Sequence, residues 1–109
     1  MGPSELLPRY IFAESLFARR RVLEVDAVAS TGGESARFLV ERGARTVVAC
    51  DADVAAVEAA QKAHAHPQVR YRANVYDDLE AGSFDLVLVT DLAPYVRAPE
   101  LLAELARLV

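Results

Sequence analysis

The 109-residue chain is poor in the features that announce most specialised chemistries. Cysteine occurs once, at Cys50, which excludes an internal disulfide framework and any multi-cysteine metal site. Set in the apolar run TVVACD, that thiol reads as a small core residue rather than a reactive group. No apolar stretch is long enough to span a bilayer and the N-terminus lacks a signal-peptide pattern, so a cytoplasmic location is expected. There is no Ser/His/Asp set, no zinc-ligand spacing, no Walker loop and no complete G-x-G-x-x-G. Internal repeats and low-complexity linkers are missing as well. The formal net charge is −4, with Arg19-Arg20-Arg21 the one basic cluster. That balance predicts neither a nucleic acid nor a membrane as partner.

What is present is a globular composition, 53% hydrophobic and 26% charged, in a length that suits one modest core. Residues 3–20 read as a helical segment with Pro8 as a break or first turn. RVLEVDAV, rich in β-branched residues, reads as the first strand. Ser30 or Thr31 is placed to cap the helix ESARFLVER, and Gly43 falls where a left-handed C-cap belongs. TVVACD is a second strand, and Asp53 caps the helix VAAVEAAQKAHAH before Pro67. His64 and His66, near that helix end, read as solvated or weakly capping residues.

VRYRAN is a third strand, with clearer alternation, and FDLVLVTD a fourth. PELLAELARLV closes the chain as an amphipathic helix with Leu101, Leu102, Leu105 and Leu108 on one face. Strands alternating with helices predict a parallel α/β sheet with right-handed crossovers. In the order 3-2-1-4, the apolar LVLV strand lies at an open edge. A homodimer or another protein partner through that fourth-strand edge is therefore expected, unless the chain is the N-terminal part of a longer domain.

The order of these motifs resembles the class I S-adenosylmethionine-dependent methyltransferases over most of the chain. VLEV is similar to the family's first motif, with Glu24 at its acidic position. ERGARTVVACDAD resembles the second strand, whose terminal acid holds the ribose hydroxyls, and Asp51 matches that place. RANVYDDL resembles the adenine-reading stretch, with Asn74 where an Asp is common and Val75 after it. SFDLVLVTDLAPYV followed by PELLAELARLV is similar to the fourth strand and its helix. The resemblance implies a three-layer Rossmann-like fold with S-adenosylmethionine as cofactor. It covers only the front half of the family's fold, which usually continues through a Pro-Gly-Gly turn into a fifth strand.

The chemistry of that placement is plain. A carboxylate accepts hydrogen bonds from both vicinal ribose hydroxyls, and ligands bind at the carboxyl ends of strands beside the switch point. The distance in sequence from Gly33 to Asp51 is close to the about 20 residues expected between loop and ribose acid. Asp51 and Asp53 also suit plain turn and cap roles, as Asn74 suits a turn.

The loop after the first strand departs from the family. Counted from the strand, Asp26, Val28 and Ser30 stand in place of the three glycines. Counted back from Gly43, Gly33 takes the last glycine's place, Ala29 and Thr31 fill the other two, and DAV becomes an insertion. Glycines there allow close backbone approach to the cofactor. Thr31, Gly32 and Gly33 are the candidate loop contacts; Asp26, Val28 and Thr31 are expected to fill the pocket. The isolated chain is accordingly expected to be an inactive, degenerate member, with a scaffold or interaction domain on the same fold as the alternative. DLAPY faintly resembles the Asn-Pro-Pro-Tyr motif of amino-methylating members but has lost its first proline, and reads as a strand-ending loop. A receiver-like signalling domain, with Asp91 as phosphoacceptor, is a second alternative; the segment PQVRYRANVYDDLEAGS argues against it.

Overall fold

The computed structural model describes residues 17–73, 79–89 and 99–109. Four parallel strands, β1 (Arg21–Val25), β2 (Thr46–Cys50), β3 (Val69–Arg72) and β4 (Leu86–Val89), form one sheet in the order β3-β2-β1-β4. The helices are a single turn α1 (Val28–Thr31), then α2 (Glu34–Glu41), α3 (Val54–Ala63) and α4 (Pro99–Leu108). The fold is a three-layer Rossmann-like arrangement, with helices on both faces of the parallel sheet. Sheet order turns back at β1, so the switch point lies between β1 and β4.

Alternation along each strand sorts residues to two faces. Val22, Val47, Ala49 and Tyr71 join Leu39 and Val40 of α2 and Val57 and Ala60 of α3 in one core cluster. On the other face Leu23, Val25 and Cys50 pack with Phe84 and with Leu105 and Leu108 of α4. Cys50 is buried, as its apolar surroundings predict. The register runs Val22↔Val47, Glu24↔Ala49 and Ala49↔Tyr71, which sets Glu24, Ala49 and Tyr71 side by side across three strands.

Local signals fixed most boundaries. Asp53 caps α3, its carboxylate accepting from Ala56 N at 3.0 Å. Gly43 follows α2 at φ 112°, the left-handed exit that its place predicted. The expected cap of α2 is corrected: its N-cap is Gly33, with no side-chain hydrogen bond. Ser30 and Thr31 belong to the preceding turn, and both hydroxyls donate backward to Ala27 O. Such back-bonding competes with capping, which is why the polar pair forms its own helical turn.

The first strand is also shorter than its β-branched run predicted. It ends at Val25 because Asp26 takes φ 63°, which turns the chain out of the sheet. The helical segment before Phe17 lies outside the described residues.

Candidate functional site

The carboxyl ends of β1 and β2 present Glu24, the loop 26–33 and Asp51 in one place. Asp26 stands where the strand-side count puts the first glycine and takes the left-handed backbone that a glycine would supply. Aspartate tolerates this region better than most residues. Its side chain is exposed, so it does not fill the loop as expected. Val28 and Thr31 do turn inward, at 0% and 3% exposure. Val28 packs in the cluster of α2 and α3, a burial that contributes about 2 kcal/mol.

The two neighbouring glycines differ in function. Gly32 (φ 67°) ends α1, is exposed, and has nothing within 4 Å of where a Cβ would stand. Gly33 (φ 90°) is pressed against α3: a Cβ there would lie 2.7 Å from Ala60 Cβ and 3.2 Å from the Tyr71 hydroxyl. Gly33 thus serves helix packing inside the protein. Thr31 Oγ1 donates to Ala27 O at 2.7 Å and lies 2.9 Å from Ser35 Oγ, so its polar group is engaged within the fold.

Asp51 follows β2 directly and is half-buried. Its Oδ2 accepts from Ala29 N at 2.9 Å and its Oδ1 from Asp53 N at 3.0 Å. Each carboxylate oxygen therefore holds one backbone N–H, and the first of these ties α1 to the tip of β2.

Glu24 is fully buried beneath this loop. Burial, and then the negative charge of Glu24, push the Tyr71 phenol up to about 12. The Tyr71 hydroxyl lies 3.1 Å from both Gly33 O and His64 O, bridging the start of α2 and the end of α3. Reading by residue type missed Tyr71; the available signal was its inward place in VRYR, since a buried phenol needs polar partners.

The structure brings Glu24, Thr31, Gly32, Gly33 and Asp51 to one end of the sheet. Asn74 and Val75, the adenine-reading candidates, lie outside the described residues, as do Asp91 and DLAPY. No group of three or more His, Cys, Asp or Glu able to hold a metal occurs among the described residues. No helix among them is long and apolar enough to cross a membrane.

Comparison with known proteins bears on this geometry. The model of a family described as a methyltransferase domain matches residues 26–109. Among solved structures, the chain is similar to an S-adenosylmethionine-dependent methyltransferase from Mesorhizobium loti, with TM-score 0.69 and 23% identity over 85% of this chain and 43% of that one. It is also similar to a protein from Listeria monocytogenes described as an S-adenosylmethionine-dependent methyltransferase (TM-score 0.57, 23% identity, 67% and 34% covered). A protein from Pseudomonas syringae described as a methyltransferase gives 0.53 at 28% identity, with 88% and 68% covered. The chain thus spans less than half the length of the first two. No curated protein matches it.

Proposed function

As the chain belongs to the methyltransferase domain family, we propose that it forms the cofactor-side half of a class I S-adenosylmethionine-dependent domain whose loop is held closed by its own residues. The isolated chain, on this reading, binds the cofactor weakly and transfers no methyl group. The observation that carries it is the hydrogen bond from Ala29 N to Asp51 Oδ2, because the acid matched to the ribose position already anchors α1. The inward Thr31 hydroxyl and the packing of Gly33 on Ala60 support it further. Of the loop candidates, only Gly32 offers exposed backbone with open space beside it. These residues do not fit a tightly held cofactor.

Calorimetric titration with S-adenosylhomocysteine tests the reading. No heat of binding up to millimolar ligand is expected; micromolar affinity overturns it. Deleting residues 26–28, which shortens the loop toward the family's length, is expected to raise affinity at least about tenfold.

A second reading rests on the edge strand. β4 pairs only with β1 among the described strands, and beside it Val87, Val89, Leu105, Ala106 and Val109 line an apolar groove of about 210 Å³. An open apolar edge is an association surface, and a second copy of the chain is the proposed partner. Analytical ultracentrifugation is expected to show a dimer that Val87→Glu dissociates. A monomer at 100-fold dilution and at the highest soluble concentration alike sinks this reading.

A further inference from the structure

The opposite end of the sheet is built differently. Arg20 O accepts from Arg45 N at 2.9 Å, and Gln68 Nε2 donates to Arg45 O at 2.8 Å, so the chain segments entering β1, β2 and β3 lie side by side. Arg19, Arg20, Arg45 and Arg70 all expose their side chains there, and none makes an ion pair among the described residues. Arg21, by contrast, is bound to Asp85. Arg20 lies near enough to the Arg21–Asp85 pair to help hold the Asp85 carboxyl down. Arg19, Arg45 and Arg70 have no acidic partner among the described residues, a gathering that is unexpected in a chain of formal net charge −4. Strand spacing of about 4.8 Å spreads the β1, β2 and β3 entries over about 10 Å.

A cavity of about 320 Å³, lined by Arg70 of these four arginines and by Thr46 next to Arg45, opens on the sheet face that carries Phe84. Val48 and Phe84 supply apolar surface, while Thr46, Gln68 and Arg70 supply donors. Among the described residues no helix covers this part of the face as α2 and α3 cover the other, and β3 presents arginine to it at position 70. A parallel sheet is ordinarily covered on both faces. The volume lies at the small-ligand end of the pocket range, and the planar guanidinium fork matches phosphate oxygens.

We infer that this end of the sheet binds a small phosphorylated anion, its phosphate groups held by Arg70 and Arg45 and its organic part resting on Val48 and Phe84. The site is separate from the cofactor loop and does not depend on whether that loop binds a cofactor. The net negative charge of the whole chain argues for a compact anion over a long polyanion, which would feel the repulsive field of the remaining surface.

The test is an NMR titration of the isotope-labelled 109-residue chain with sodium pyrophosphate and with uridine 5′-diphosphate at constant ionic strength. A uracil probe avoids confusion with adenine binding at the cofactor loop. Saturable shifts are expected at Thr46, Gln68 and Arg70, with Kd below about 1 mM and weakened at least about tenfold by Arg70→Ala or Arg45→Glu. Unchanged thermal melting of both variants shows that the fold survives. Linear shifts without saturation, shifts confined to residues 26–33, or equal binding by the variants overturn the site. Binding of a glutamate-rich peptide without binding of either phosphate also overturns it, in favour of an acidic protein partner.

Discussion

The two ends of the sheet handle charge in opposite ways. At the carboxyl end Asp51 is bound to the amides of Ala29 and Asp53, Thr31 to its own turn, and Tyr71 to two carbonyls. At the amino end Arg21 and Asp85 form one exposed pair while four other arginines face solvent. The family's ligand end is thus the more self-satisfied of the two. A hydroxyl proton already donated within the protein, as from Thr31 or Tyr71, must be released before it can serve a ligand, and each release costs stability, whereas each Asp51 oxygen, holding one N–H, keeps acceptor capacity. Free exposed charges carry no such cost. The difference suggests that the place where a fold usually binds ligand need not be the place where a given chain is best prepared to do so.

The sharpest way to break this contrast is Gly33→Ala. A Cβ 2.7 Å from Ala60 Cβ adds overpacking to left-handed strain, and a loss of about 3 kcal/mol in denaturant stability is expected. Tyr71→Phe comes next, expected to cost about 2 kcal/mol by leaving Gly33 O and His64 O without their shared donor. Its pH signature is specific. The folded phenol titrates near 12 against an ordinary value of 10.0, so its share of stability is intact below pH 10 and lost as pH rises toward 12. Chemical denaturation across that window is expected to show the loss in the parent chain and not in the Phe variant.

Gly32→Ala sharpens the comparison from the other side. Its Cβ meets nothing, so only the left-handed strain remains, about 1 kcal/mol, measurable by the same denaturation. A cost equal to that of Gly33→Ala overturns the assignment of packing to one glycine and turn geometry to the other. The smallest effect belongs to Asp85. Hydrogen bonds from the Arg21 side chain and backbone pull its carboxyl down to about 2 from 3.8. The pair's contribution is therefore full above about pH 4 and lost as pH falls toward 2. Because both side chains are exposed, solvent screening keeps it small. Asp85→Asn is expected to remove that acid-range slope and leave stability at neutral pH nearly unchanged.

Much of this was legible beforehand because its causes are local. The apolar runs, the Asp53 cap and the left-handed exit at Gly43 are each set by a few adjacent residues. The turn α1 was hidden because Val28 and Thr31, both β-branched, read as strand or loop over so short a span. Gly32 and Gly33 are alike in sequence; what separates them is Ala60 and Tyr71, which arrive from distant segments. Asp51 was visible as an acid at a strand end, but its partner at Ala29 depends on how the loop folds over β2. The arginine at position 70 was visible as alternation in VRYR, whereas the cavity beside it appears only once the strands are assembled.

The Tyr71 hydroxyl has one last consequence, which concerns motion. By joining the residue just before α2 to the residue just after α3, it links two helix termini that the chain sequence keeps far apart. Fluctuations that open the loop must therefore loosen the end of α3 at the same moment. The amides of Thr31, Gly32, Arg37 and His64, each bonded near one of these termini, should exchange with solvent as one cooperative unit sharing a single opening free energy. The loop is then no independent lid. It opens only as part of a larger, slower breathing of this half of the domain.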